Sequence, residues 1–555
     1  MRRNYPLAFL CLFSLIATCF ASQAGGEDLL SPLIREKVER QGSVSAIPCK
    51  AERVCGSRII REFYRKRAYR PVWSSEGRAL PRARSFVEVL GSARDEGLRP
   101  EDYHYEAVMR LFQQAFGDPA RTSPDAAADC DLLLTNAFFV YGTHLCSGRA
   151  DPRALFRHWS IDERGLDLSS VLEEVSRGRD LREAIAALRP HDPAYVFLLA
   201  ALSRYRALEE AGGWQPVVMA EKRLERGDRS PAVDALRRRL QITGEFRESG
   251  GSSPPDLFDE ALEQAVRSFQ ARHGLTVDGI VGRRTLAELN IPVEARLRQI
   301  ALNLERLRWL PETLGDRYLL LNIADFSLSA WEGGKKRMEM KAIVGRTQRP
   351  TPLLSSTIDT VILNPPWNVP HSIATKDLLP AIRKDPGMLA KKGFRVFSGR
   401  GAGAQEIDPS KIDWQRFSER NFPFRLRQDP GPANALGDMK FSFPNTESVY
   451  LHGTPARNLF MKSRRDFSSG CIRVEDPLAL AEWILEGQGS WNRDAIIEAL
   501  APVVTRSIPV RRPVPIHVLY LTAWAEPDGT VHFRPDIYGQ DAVLARALGM
   551  DGQVL

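Results

Sequence analysis

Downstream of residue 25 the 555-residue chain has no long apolar run, nothing approaching the ~20 consecutive apolar residues of a membrane span, so this part is expected to be soluble. Arginine clusters interleaved with aromatics are also lacking, which sets aside nucleic acid as a partner. The nine histidines are scattered. Cysteine is scarce: two of the seven lie at positions 11 and 19, leaving Cys49, Cys55, Cys130, Cys146 and Cys471.

What is present begins with a leader. Arg2 and Arg3 precede an apolar run over residues 7–20 and then small residues ending at Ala24. This reads as a secretory signal peptide over residues 1–24, with a retained anchor or lipidation at Cys19 as the alternatives. Export places the rest in an oxidising, periplasmic space. The formal charge of +8 falls to +6 without Arg2 and Arg3, which suits an anionic wall or membrane surface and equally suits ordinary solubility. Five cysteines is an odd number, so one is expected to stay a thiol or pair between molecules. The simplest arrangement bridges Cys49 to Cys55 and Cys130 to Cys146 and leaves Cys471 alone, although the spacing does not choose among the three connectivities.

Residues 25–220 are helical in period, with Ile59, Ile60, Phe63 and Tyr64 forming one apolar stripe and Phe86, Val89 and Leu90 another. Trp73 and Trp159 are expected core anchors. A compact unit follows over residues 225–290. Ser230-Pro231 starts a helix carrying Val233, Leu236 and Leu240, a second helix carries Phe258, Leu262, Val266 and Phe269, and Asp278-Gly279 with Gly282 turns the chain into a third. Beyond residue 310 the period changes from 3.6 to 2. Strands are expected over residues 318–323, 357–363, 449–452 and 517–524, with a hairpin turning at Gly333-Gly334. Residues 370–435 interrupt this β region, and the aromatics Phe394, Phe397, Trp414, Phe417, Phe422 and Phe424 favour an ordered lid over a disordered insertion.

The chemistry gathers around the lone cysteine. His452 ends a strand in Tyr450-Leu451-His452-Gly453 and precedes Cys471 by nineteen residues. Cys471 follows Ser469-Gly470 and is followed by Ile472-Arg473. A strand-end histidine beside a cysteine on a glycine turn is the pairing a thiolate nucleophile needs, because the thiolate attacks and the thiol is mostly protonated near neutral pH. Arg473 adds positive potential. Gly470 lets the backbone bend so that N–H groups converge on an oxyanion. Zinc would need three or four ligands, and no second cysteine or paired histidine stands close by, so no metal and no cofactor are expected.

These residues carry two resemblances. The run VRSFQARHGLTVDGIVGRRTL in residues 225–290 resembles a three-helix peptidoglycan-binding domain. The run from His452 to Ser468-Ser469-Gly470-Cys471-Ile472-Arg473 resembles the active-site signature of L,D-transpeptidases. Gly345-Arg346 with Arg349-Pro350-Thr351-Pro352, NPPWNVP at 364–370, NFPFRLRQ at 421–428, Asn434-Ala435-Leu436-Gly437 and residues 516–529 extend the likeness over nearly all of the chain beyond the leader. Many members have histidine where this chain has Ser469. The resemblance implies a multidomain α+β protein with an α-helical scaffold, a peptidoglycan-binding domain and a β-sandwich-like catalytic domain over residues 315–540 with the insertion as a cap. It implies Cys471 as nucleophile and His452 as base, with Gly470, Ser469, Arg473 and Tyr450 around the oxyanion and substrate. It further implies a 3→3 cross-linking reaction on peptidoglycan stem peptides with release of D-alanine, in the cell wall and with wall synthases as candidate partners. Water or an envelope protein as acceptor, and a silent wall-binding scaffold, are the alternatives.

Overall fold

The computed structural model describes residues 29–39, 57–118, 123–156, 159, 161, 164–247, 254–399 and 403–551. The expected leader, Cys49 and Cys55 lie outside them. No described helix is long and apolar enough to cross a membrane.

The N-terminal region is helical and organised around one buried helix, Pro124–Ser147. Ser123 caps it by accepting from the Ala126 N–H, and Pro124 fills a first-turn position whose own N–H would have no partner. Phe63, Tyr64, Trp73 and Phe86 pack in the same core, with Trp73 stacked on Phe86 at 5.2 Å. Of the expected stripe, Ile60, Phe63 and Tyr64 are buried, whereas Ile59 lies at its margin and is exposed. Cys130 and Cys146 are free thiols on this one helix. Sixteen residues separate them, roughly 24 Å along the axis at 1.5 Å per residue, far beyond the ~7 Å limit for a disulfide. The expected bridge between them is therefore corrected: a single rigid helix holds the two thiols apart.

The second unit has helices Pro231–Ile242, Glu260–Arg272 and Arg283–Leu289. Val233, Leu236, Leu240, Phe258, Leu262, Val266 and Phe269 form its core, as their helical spacing predicts. Gln270 locks the turn into the third helix: its Oε1 accepts from the Asp278 and Gly279 N–H groups at 3.1 and 2.8 Å. Helix Val293–Arg308 leads on to the sheet-rich region and packs on helix Pro193–Glu210.

The C-terminal region is built on one mixed nine-stranded sheet. Its strands are β1 (Arg317–Asn322), β2 (Ser327–Glu332), β3 (Lys335–Gly345), β4 (Leu354–Leu363), β5 (Met439–Ser442), β6 (Leu451–His452), β7 (Asp466–Ser468), β8 (Ile472–Val474) and β9 (Arg506–Leu519). Their order is β7-β3-β8-β6-β5-β4-β9-β1-β2, and β2 pairs again with β3, so the sheet closes on itself. Closure removes the open edge that would otherwise flank β2. Gly333 and Gly334, at φ +57° and +70°, form the β2–β3 turn, whose two central residues both need positive φ. The last strand begins at Arg506, well before the expected start at residue 517.

The insertion is ordered. Strands Trp367–Asn368, Arg425–Gln428, Phe394–Ser398 and Gln405–Ile407 pair antiparallel in that order, over a separate core that includes Phe394, Trp414, Phe422 and Leu426.

Candidate catalytic site

Strand parity assembles the site. On β6 and β8 the side chains of Leu451, Ile472 and Val474 point into the sheet's core, so Tyr450, His452 and Arg473 fall on the opposite face. The two strands run parallel, with Leu451 across from Ile472 and His452 across from Arg473. The Ile472 N–H donates to the Tyr450 carbonyl at 3.1 Å, which sets Cys471 beside Tyr450. His452 lies one diagonal step further on, with a backbone separation of roughly 8 Å by strand spacing. On the other side of β6, β5 pairs Lys440 with His452. Lys440, Tyr450, His452, Cys471 and Arg473 thus share one face.

His452 is buried although it sits on the outer face of its strand. Its Nδ1 lies 2.5 Å from the Gly453 carbonyl, and the Leu436 carbonyl also accepts from the ring. Gly437 permits this cover. It has φ +67°, and a Cβ there would stand 2.6 Å from the Thr454 nitrogen, so only glycine lets residues 436–437 press against Gly453. Burial and then the nearby Arg473 cation push the imidazole down to about 3, so His452 is neutral at ordinary pH. A neutral imidazole can accept a proton. The Cys471 thiol is pushed up by burial, opposed by hydrogen bonds from Tyr450 and by the positive charges of Lys440 and Arg473. Lys440 Nζ lies 4.0 Å over the Tyr450 ring, and its own pKa is lowered by burial.

The turn carrying Cys471 is held from below. Gly470 has φ +118°, a conformation costly for any other residue, whereas the atoms nearest to a methyl added there would stand 3.8 Å away, so backbone conformation and not space demands glycine. Its N–H donates to Ser468 Oγ at 3.1 Å. Its carbonyl accepts from Thr351 Oγ at 2.8 Å, and the same hydroxyl accepts from the Gly345 N–H at 2.9 Å. Because a trans peptide points its C=O and N–H in opposite directions, fixing the Gly470 carbonyl on Thr351 aims the Cys471 N–H away from the core. That N–H has no protein acceptor among the described residues. The Gly470 N–H itself is taken up by Ser468, so the outward-facing donor of this turn is the Cys471 N–H.

Ser469, one residue earlier, accepts from Arg349 Nη1 at 3.1 Å. Arg349 also pairs with Asp377 of the insertion, and Arg346 pairs with the same carboxylate at 3.0 Å. The two guanidinium groups hold the Asp377 carboxyl below its ordinary range against the effect of burial. Asp377 sits on a single π-helical turn, Ala374–Leu378, a feature often found beside functional sites. A cleft of about 350 Å³ borders this loop, lined by Pro350, Thr351, Val449, Ser469 and Gly470, with Phe156 of the helical region at its far side.

Sequence reasoning names Cys471, His452, Gly470, Ser469, Arg473 and Tyr450, and the structure gathers all six within one turn and two strands. It misses Lys440, Thr351, Arg349, Asp377 and the Leu436 carbonyl. Lys440 is findable only through cross-strand parity, and the 345–352 and 434–437 motifs stand out in the sequence without showing a role.

Three family models match the chain: a scaffold domain at residues 58–202, a domain described as a "Putative peptidoglycan binding domain" at 229–289, and the L,D-transpeptidase catalytic domain at 316–508. A Haemophilus influenzae protein described as a "Putative L,D-transpeptidase" is 36% identical over 244 residues, 44% of this chain and 48% of that protein. The N-acetylmuramoyl-L-alanine amidase CwlM of Mycobacterium tuberculosis is 45% identical over 69 residues, 11% of this chain and 17% of that protein. The chain thus spans about half of the first of these relatives and less of the second. A solved L,D-transpeptidase from Xylanimonas cellulosilytica covers 54% of this chain and all of its own at 16% identity, with a TM-score of 0.18 that carries no structural argument. The family resemblance stands at the level of its domains: a scaffold, a peptidoglycan-binding domain and an L,D-transpeptidase catalytic domain follow one another along this chain.

Proposed function

We propose that this protein is an exported peptidoglycan L,D-transpeptidase acting through Cys471. The observation that carries the reading is the shared face of Cys471, Tyr450, His452, Lys440 and Arg473, lying within the region matched by the catalytic-domain family. In this reading neutral His452 takes the thiol proton as Cys471 attacks the carbonyl between the third-position diamino acid and the terminal D-alanine of a tetrapeptide stem. The Sγ–C bond forms, and the carbonyl oxygen becomes an oxyanion facing the Cys471 N–H. One such donor is worth about 3 kcal/mol in the transition state. Collapse expels D-alanine, whose amine takes the proton from His452. The side-chain amine of a second stem then attacks the thioester, gives a 3→3 amide and returns the thiol.

The domain limits belong to the same proposal: a leader over 1–24, a scaffold over 25–220, a peptidoglycan-binding domain over 225–290 and the catalytic domain over 315–540, capped by residues 370–435. Arg473, Tyr450 and Lys440 keep positive potential and a hydroxyl donor beside the sulfur. Incubating the purified protein with tetrapeptide-rich sacculi and analysing the muropeptides tests the reading. A 3→3 dimer with loss of D-alanine supports it, and unchanged muropeptides would defeat it.

A further inference from the structure

A clasp outside the nucleophile turn holds the residue that aims the Cys471 N–H. Thr351, whose Oγ fixes the Gly470 carbonyl, ends a loop that returns on itself: the Gly345 N–H donates to that same Oγ, and a Cβ on Gly345 would stand 2.7 Å from the Thr351 nitrogen. Tyr538 ties the two ends a second time. Its hydroxyl donates to the Gly345 carbonyl at 2.5 Å and accepts from the Thr351 N–H at 3.2 Å, so one side chain serves both backbone groups. Burial pushes the phenol up to about 12, which keeps it protonated and able to donate at ordinary pH.

Tyr538 is itself held on several sides. Its N–H donates to the Tyr520 hydroxyl at 3.0 Å, the two rings stack at 5.6 Å, and the Tyr520 hydroxyl donates to Asp536 at 2.6 Å. Asp536 also accepts from the Gln540 and Asp541 N–H groups, both at 2.8 Å. Asp541 in turn pairs with Arg306 of helix Val293–Arg308 at 2.6 Å and accepts from Thr522 at 2.8 Å. Tyr538 and its supports from Tyr520 onwards lie beyond residue 508, where the match to the catalytic-domain family ends.

The order of these bonds says what the clasp does. Without the Tyr538 hydroxyl, the Gly345 carbonyl and the Thr351 N–H lose their shared partner, and the Thr351 backbone is free to turn. Its Oγ then leaves the Gly470 carbonyl, and the rigid Gly470–Cys471 peptide rotates, taking the Cys471 N–H with it. The thiol is set by other groups: burial raises it, and Tyr450, Lys440 and Arg473 oppose that. Loss of the clasp should therefore disturb the donor and leave the sulfur alone, and a misplacement of about 1 Å in such a group can cost ~100-fold.

Resting on the reading of Cys471 as an acylated nucleophile, we propose that Tyr538 is a positioning residue for the reaction, acting through Thr351 and Gly470 to aim the Cys471 N–H at the oxyanion. The test uses the full chain as wild type, Tyr538→Phe, Thr351→Val and the double variant. Phenylalanine keeps the ring and its stack on Tyr520, and valine keeps the shape of threonine, so each change removes one hydroxyl. Each protein is treated with p-nitrophenyl acetate and, separately, with iodoacetamide, and modification of the Cys471 peptide is timed by mass spectrometry. With the ester, the Sγ–C bond forms as the carbonyl oxygen becomes an oxyanion, which then collapses and expels p-nitrophenolate. With iodoacetamide, the Sγ–C bond forms as iodide leaves, and no oxygen takes up charge. The thiol gives the same proton to His452 in both, so the ratio of acylation to alkylation reads the oxyanion donor and not the thiol. The ratio should fall about tenfold in each single variant and no further in the double variant, with the rate and pH profile of alkylation kept within twofold of wild type. An unchanged ratio in either single variant, an equal loss of both reactions, or losses that multiply in the double variant would overturn the proposal. Neither probe is a stem peptide, so a wild-type protein that forms no 3→3 product while its variants lose acylation in this way would sink the transpeptidase reading and leave the role of Tyr538 standing.

Discussion

Tyr450 stands directly beside Cys471 across the β6–β8 pairing, and its hydroxyl is hydrogen-bonded to the thiol, while His452 takes the diagonal place next to Arg473. In the proposed reaction the residue nearest the sulfur in register is thus a donor placed to stabilise negative charge on it, and His452, the proposed base, approaches from one step along the strand. That reading divides the work between holding a thiolate and receiving its proton.

The pH behaviour of the thiol follows from this. Burial raises the Cys471 pKa, and Tyr450, Lys440 and Arg473 oppose it. Alkylation of Cys471 by a small neutral reagent should therefore climb through the alkaline range, with no step near pH 6.5, because His452 is already neutral there. Removing the opposing hydrogen bond in Tyr450→Phe should displace the profile to higher pH. A displacement to lower pH would show that Tyr450 does not support the thiolate.

Stability should respond to pH through His452 as well. Its folded-state pKa of about 3 lies below the 6.5 of an unperturbed imidazole, so the unfolded chain binds a proton first as the pH falls. The contribution of the neutral ring is intact above pH 6.5 and is lost as the pH drops towards 3. Denaturant midpoints of wild type and His452→Gln should converge between those values. Parallel curves down to about pH 4 would mean that the ring is protonated without penalty.

Gly470→Ala isolates the nucleophile turn. The nearest atoms to the added methyl stand 3.8 Å away, so the cost lies in φ +118°, about 1–3 kcal/mol of strain. Relaxing that strain rotates the Gly470–Cys471 peptide off Thr351 and misdirects the Cys471 N–H. Turnover is expected to fall about a hundredfold, the scale of one oxyanion donor, while the melting temperature changes by only a few degrees. Near-normal turnover would remove the peptide orientation from the mechanism.

How legible the site is depends on whether a role lies within a short stretch or across strands. Ser469-Gly470-Cys471 and Tyr450-Leu451-His452-Gly453 are contiguous, and their chemistry can be read from side-chain type and turn propensity. Lys440 and Asp377 cannot be read that way, because their relevance comes from cross-strand pairing and from an ion pair across 28 residues. Fold class follows from the change of period near residue 310, yet closure of the sheet through β2 and β3 has no local signal. The start of β9 at Arg506 escapes the sequence because Pro509, Pro513 and Pro515 argue against a strand; the register there shifts between Pro509 and Val514, and such an irregularity is where prolines are tolerated. The Cys130–Cys146 bridge fails for a simple reason: counting cysteines says nothing of the helix that spans both.

The insertion is tied to the nucleophile loop through Asp377, Arg349 and Ser469. Its ion pairs are partly solvent-exposed, so Asp377→Asn should cost no more than about 1 kcal/mol of stability. If the insertion excludes water from the thioester, the same variant should raise the ratio of tripeptide hydrolysis product to 3→3 dimer. Replacing residues 370–435 by a short Gly-Ser linker should raise it further while Cys471 still acylates. An unchanged ratio in folded protein would leave the segment a structural buttress.

The central claim is that Cys471 carries the acyl group. Intact-protein mass spectrometry after brief mixing with a disaccharide-tetrapeptide, followed by peptide mapping, tests it most directly. The expected result is an adduct of the disaccharide-tripeptide on the Cys471 peptide, one equivalent of D-alanine released, and neither event in Cys471→Ser. D-alanine release by the serine variant at the wild-type rate, or an adduct mapped to any other residue, would contradict it.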